Sequence, residues 1–340
     1  VLVAAFGDSG GLWSHLYDTV LGRYISNTLI LVAGVGVVAI GFGVSSAWVV
    51  SRYDFTGRRI LEWMLLLPAA IPAYIIAYSY TEFFEYAGPL QSALRHLFGW
   101  QSPRDYWFPE IRSLGGAILV MASVLYPYIY MVTRIAFRLT PASLFEIALV
   151  HNRSQFWQVG LPLARPAIMA GLALVMMEVM SDFGTVEFFA IETITLGIFN
   201  VWLGMNNLVA AAQISIVGFG FIVALLGLEL YARSRQQYVS SSRNQTPLAM
   251  LVPTKAGIMA CWAVCIIPLL FGFFIPVGVL LGLVATNDLL ADFMAIQGII
   301  GNTLIVAAIA AVVIMVLSAF IVVTATFRAG SKTRKLALFA

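Results

Sequence analysis

Seven long apolar windows organise the chain, and the short segments between them hold most of its charge. They cover residues 28–50, 60–80, 115–133, 167–189, 208–231, 257–284 and 299–324. Each is long enough to cross a hydrocarbon layer, for which roughly 20 residues of helix suffice. Runs of this length in lipid are helical, because a lone strand leaves its backbone polar groups unsatisfied. The predicted fold is therefore all-α, a polytopic membrane helix bundle with about seven transmembrane helices. The fourth window is the least clean, because Glu178 and Asp182 interrupt it.

Basic residues fix an orientation. Alternate connections hold Arg52, Arg58 and Arg59, then Arg134, Arg138, Arg153 and Arg165, then Arg233, Arg235, Arg243 and Lys255, then Arg328, Lys332, Arg334 and Lys335. These are fifteen of the 19 lysines and arginines, and the other side receives Arg23, Arg95, Arg104 and Arg112. By the positive-inside rule the first set is cytoplasmic. Residue 1 then lies outside.

The hexapeptide Ile25-Ser-Asn-Thr-Leu-Ile recurs as Ile300-Gly-Asn-Thr-Leu-Ile, at the entry of a span that runs the same way and ends in a basic loop. This is the pattern of a parallel repeat of two halves. It divides the chain into residues 1–232, a first half; 233–256, a cytoplasmic linker; and 257–340, the start of a second half. The first half lacks a counterpart to span 257–284, and residues 334–340 open a further apolar run. The chain is accordingly expected to be an excerpt of a longer protein, and no signal-peptide pattern is present.

Composition narrows the function. The 340 residues are 61% hydrophobic and 10% charged, against about 25% charged in soluble domains, which excludes an ordinary cytosolic enzyme. A net charge of +3 without a basic block gives no reason to expect nucleic acid. Cys261 and Cys265, four apart in an apolar run, read as packing residues, and His15, His96 and His151 have no metal-ligand spacing. No metal site is expected. Gly34-x-Gly36-x-x-Ala39 lies inside a span, where close helix packing explains it. Gly330-Ser-Lys-Thr lacks the glycine that a phosphate-binding loop requires.

The cytoplasmic connection 140–166 is the most structured. Thr140 reads as a helix cap with Pro141 at the first position. Phe145, Ala148 and Leu149 fall on one face at helical spacing, Asn152 suits a left-handed stop, and Leu161-Pro162 and Pro166 mark the return into lipid. From pattern alone a helix lying on headgroups fits better than one docking into a partner's groove.

The residues Glu146-x-Ala148, Asn152, and Leu161-Pro162 followed by Leu-Ala-Arg-Pro-Ala-Ile resemble the EAA loop of ABC importer permeases. The stretch Glu178-Val-Met-Ser-Asp182-Phe-Gly-Thr185-Val-Glu-Phe-Phe, with Thr195-Leu-Gly-Ile-Phe and Trp202-x-Gly-Met, is similar to the iron(III)-type branch, whose members fuse two permease halves. The resemblance implies a type I importer permease in the bacterial inner membrane, itself no enzyme and binding no cofactor. ATP is used by a separate ABC ATPase, a homodimer, and a soluble substrate-binding protein delivers the cargo. Glu146, Ala148, Leu149, Asn152, Leu161 and Pro162 become the ATPase-coupling residues. Iron(III) stands first as cargo, with thiamine, phosphonate, polyamine and sulfate as alternatives. The sequence departs from the family pattern at Ile147, where an alanine is usual, at Asn152, where glycine is usual, and in a shortened segment 152–161.

Intramembrane carboxylates are functional candidates. Glu178 and Asp182, four apart on one helical face, and Thr185 are candidates for the translocation path; the plainer reading is that the acids pair with neighbouring helices. Glu62 and Glu229 read as interfacial. Segments 87–113 and 191–207 are candidate contacts for the binding protein, the first fitting an interfacial helix equally well. A competing class is an ion-gradient-driven secondary transporter working through Glu178 and Asp182; a membrane enzyme ranks last, because no catalytic constellation spans the helices.

Overall fold

The computed structural model describes residues 2–234, 250–286 and 289–327. Among them the regular structure is helical, and the one β contact is an isolated bridge between Tyr53 and Leu251. Most of linker 233–256 and the basic segment 328–335 lie outside the described residues. The chain forms two compact units, residues 1–280 and 281–340.

In the first unit two short helices, Leu2–Ala5 and Leu12–Leu16, lead through a π turn into α1, Gly22–Arg52. There follow α2 (Arg58–Met64), α3 (Ala73–Phe84), α4 (Pro89–Phe98), α5 (Leu114–Leu139), α6 (Ala142–Val150), α7 (Leu161–Ser181), α8 (Gly184–Phe188), α9 (Ile194–Phe199), α10 (Leu208–Ser234), α11 (Lys255–Leu269) and α12 (Ile275–Thr286). The core is the triad α1, α5 and α7. Small residues let the backbones approach: a Cβ at Gly43 would lie 2.9 Å from Ile129 Cβ, and one at Gly171 2.7 Å from Ile129 Cα. Gly34 faces Ile118 and Gly36 faces Leu172, so the glycine pattern in α1 is a packing surface of the kind that drives helix association in lipid.

The second window is not one straight span. Residues Arg58–Ala70 and Ala73–Phe98 meet at 93°. Pro68 and Pro72 account for the break: each removes a backbone donor, and Pro72 drives Ile71 into an extended conformation (φ −107°, ψ 123°). Five described helices are long and apolar enough to cross a bilayer, or six with the bent pair counted as one, against the seven expected.

Helix α11 packs within this unit. Cys261, Cys265 and Leu269 are buried at four-residue intervals, and both thiols are free. The Tyr80 hydroxyl donates to the Phe271 carbonyl at 2.7 Å. Gly272 lies against Pro68 and against the carbonyl of Ser123, the acceptor from which Pro127 withholds a helical donor. The second unit contains α13, Leu289–Phe327, which includes the predicted window 299–324.

Candidate functional site

The elbow between α5 and α7 begins with a correction. Thr140 does not cap α6; its Oγ1 donates to the Ala136 carbonyl at 2.9 Å and closes α5. Pro141 is the N-cap residue, and α6 starts at Ala142. The helix ends as Asn152 predicts: its φ is +51°. The Arg153 N–H donates to Ala148 O at 2.8 Å and the Asn152 N–H to Leu149 O at 3.0 Å, the paired bonds of a left-handed helix stop. The chain does not turn at Leu161-Pro162. From Phe156 it runs as one helix to Ser181, and Pro162 sits in the first turn of α7 directly after a π turn at Phe156–Gly160.

Ala142, Phe145 and Ala148 are the buried face of α6. Leu149 was expected there and is not: it is 55% exposed, alongside Ile147 at 56% and Val150 at 83%. At 100° per residue Leu149 still falls on the arc between Ala142 and Phe145, but it lies in the last turn of α6, just before the stop at Asn152. Glu146 is exposed on the same side. The elbow thus shows an apolar outer surface beside a carboxylate.

Its inner face is braced by residues that the motif did not single out. Arg52, at the end of α1 and 3% exposed, donates from Nε and Nη2 to Gln155 Oε1 at 3.1 and 2.9 Å. Gln155 Nε2 donates onward to the Phe145 carbonyl at 3.0 Å. The Arg52 guanidinium lies 5.5 Å from the centre of the Phe145 ring, and Trp48 packs against Phe137, Phe145 and Phe156. Trp48 and Arg52 are four apart on the last turns of α1, a spacing that puts them on one face.

Glu62 also differs from its interfacial reading. It is buried and lies 2.6 Å from Arg134, 2.9 Å from Arg138 and 3.9 Å from Arg58. The side chain of Glu229 lies outside what is described.

At the other end of α7 the two path carboxylates part. The helix stops at Ser181, and Asp182 is its extended C-cap (φ −69°, ψ 115°), so Glu178 and Asp182 do not share a helical face. Asp182 turns forward: Oδ1 accepts from the Thr185 N–H at 2.7 Å and Oδ2 from the Thr185 hydroxyl at 3.0 Å, starting α8. Thr185 is fully buried. Glu178 stays on α7 with its side chain exposed. The segment beyond is fastened to α1 by the repeated Asn-Thr pair. Asn27 Nδ2 donates to the Glu192 carbonyl at 3.0 Å, and the Ile194 N–H donates to Thr28 Oγ1 at 3.0 Å. Arg23 pairs with the Glu192 carboxylate at 2.7 Å.

Segment 84–112 forms an open cleft of about 560 Å³ walled by Phe84, Tyr86, Tyr106 and Phe108, with Glu110 and the ion pair Arg112–Glu85 on its rim.

Residues 39–237 match the family of binding-protein-dependent transport system inner membrane components. The chain is 25% identical over 268 residues to the Fe(3+)-transport system permease protein FbpB 2 of Haemophilus influenzae, covering 78% of this chain and 47% of that protein. It is 26% identical over 156 residues to the diacetylchitobiose uptake system permease protein NgcG of Streptomyces coelicolor, covering 45% of each. The chain thus spans about half the length of these relatives. A bacterial ABC transporter involved in the import of alginate shares the fold, with a TM-score of 0.51 and 16% identity over 67% of this chain and 83% of that one. With its elbow, its apolar spans and this match, the chain belongs to the binding-protein-dependent transport system inner membrane components and is a multi-pass membrane protein.

Proposed function

We propose that this chain is the permease of an ATP-driven importer, in which a separate ATPase docks on α6 and a substrate-binding protein docks at the outer cleft. The observation that carries the reading is the exposed apolar surface of α6: Ile147, Leu149 and Val150 are bare, while the inner face is tied to α1 through Arg52 and Gln155. An exposed apolar patch on a braced element marks an interaction surface, and the continuous helix 156–181 gives a lever from it into the membrane. ATP closure of the partner would push this elbow, and α7 would carry the movement to the outer mouth.

At that mouth Glu178 is the carboxylate facing the path, and Asp182 with Thr185 shapes its rim. Engagement of Asp182 with Thr185 argues against the ion-gradient-driven alternative, which works through Asp182 as well as Glu178. Similarity to a relative named for Fe(3+) puts iron(III) first as cargo; another relative, from Salmonella paratyphi A, is named for 2-aminoethylphosphonate. The test is co-purification of the full-length protein with its ATPase. Leu149→Asp combined with Val150→Asp removes the ATPase while leaving membrane insertion intact, and retention of the ATPase refutes the docking assignment. Uptake of radioactive iron against molybdate and phosphonate, in cells expressing the intact system, assigns the cargo.

A further inference from the structure

We propose that the arginine cluster around Glu62 binds the phosphate of an anionic phospholipid in the cytoplasmic leaflet. Arg134 Nη2 and Arg138 Nη2 crowd the same oxygen, Glu62 Oε1, at 2.6 and 2.9 Å, and Arg58 Nη1 lies 3.9 Å from Oε2. A second carboxylate, Asp54, lies 3.5 Å from Arg58 Nε. Three guanidiniums thus face two acids, and Arg59, next to Arg58 in the chain, is exposed on α2. The balance is positive where the groups are half or fully withdrawn from water, an arrangement that leaves charge uncompensated. Buried nitrogens agree with a surplus of donors: Arg134 Nε has no hydrogen-bond acceptor, and Arg58 Nε has only the long ion pair to Asp54.

The exposed member is Arg138, whose side chain is 38% accessible. A guanidinium carries five N–H donors in a planar fork suited to phosphate, and Arg138 spends one on Glu62. Below it on α5 the exposed residues are apolar, Met131 and Ile135, with Leu139 beside it; on α2, Ile60 and Trp63 are exposed as well. Tryptophan is at home at the headgroup level. Cation above and apolar stripe below match a phospholipid, with a charged head and acyl chains, whereas a free phosphate uses only the upper half. Basic pockets between membrane helices on the cytoplasmic side are the expected sites for such headgroups.

The test is native mass spectrometry of the full-length protein released from bilayers of equal phosphatidylglycerol and phosphatidylcholine. The native protein is expected to retain phosphatidylglycerol preferentially. Arg138→Gln reduces that preference about fivefold, the order expected for one basic residue near a charged surface, and adding Arg59→Gln removes it. Neither substitution touches Arg134, whose side chain is 18% exposed, so folding is preserved, and Arg153→Gln serves as a charge control that leaves retention unchanged. Inorganic phosphate at 10 mM leaves the bound lipid in place. Equal retention of both lipids, no response to Arg138→Gln, an equal loss with Arg153→Gln, or displacement by free phosphate each overturns the assignment.

Discussion

Helix α7 is entered and left through two interruptions built on opposite principles. At the inner end the elbow is fixed by long-range contacts: Arg52 from α1 reaches Gln155, and Gln155 reaches back to Phe145. Its outer surface is left bare and apolar. At the outer end the break is local: Asp182 holds Thr185 three residues on, and only the segment beyond is clipped to α1 by Asn27 and Thr28. A lever must be stiff where force enters, so the inner joint draws on distant helices. The outer joint must be able to reshape, and a four-residue cap worth about 1 kcal/mol suits a mouth that opens.

Breaking the inner brace gives the largest effect. Gln155→Leu takes two hydrogen bonds from the buried Arg52 guanidinium, and hydrogen bonds to charged groups are worth about 1.5–3 kcal/mol each. ATP-driven uptake in proteoliposomes is expected to fall at least tenfold with the protein still in the membrane. Gln155→Glu keeps the acceptor for Arg52 but loses the donor to the Phe145 carbonyl, so it restores only part of it. Near-normal uptake by Gln155→Leu would show that the elbow needs no bracing from α1.

Next in size is the exposed carboxylate. Glu178→Gln keeps shape and polarity and removes charge. If it faces the path, uptake of a cationic cargo drops severalfold while ATPase activity and thermal stability stay put. If it packs against another helix, stability falls and uptake follows it. Measuring both on one preparation separates the two roles. Asp182→Ala, by contrast, loses the cap to Thr185 and lowers melting temperature by a few degrees, consistent with about 1 kcal/mol, whatever the cargo.

These contrasts explain what the chain's letters revealed and what they hid. Span positions and the helix stop at Asn152 were legible because hydropathy and left-handed preference act over a few residues. Pro68 and Pro72 marked the broken second window just as locally, yet a hydropathy window averages across them. The role of Arg52 was hidden, since a basic residue at a cytoplasmic span end has orientation as its ready explanation, and its partner lies over 100 residues away. Glu62 was misread for the same reason: the arginines that bury it come from α5. Asp182 was misplaced because i, i+4 spacing implies a shared face only if the helix continues, and here it stops at Ser181.

The smallest expected effect bears on the stiffness of the inner joint itself. Asn152 adopts φ +51°, a region where residues with a Cβ are strained and asparagine less than most. Glycine is free of that strain but loosens the unfolded and bent alternatives, so Asn152→Gly changes stability by only a few tenths of a kcal/mol. A β-branched residue has no such accommodation: Asn152→Val costs about 1–2 kcal/mol and is expected to disturb the Arg153–Ala148 bond that ends α6. Coupling should follow geometry rather than stability. Uptake per ATP hydrolysed stays native in the glycine variant and falls in the valine variant, even at a temperature where both are fully folded. Equal coupling in the two would mean that the stop at residue 152 only saves helix energy and does not aim the elbow.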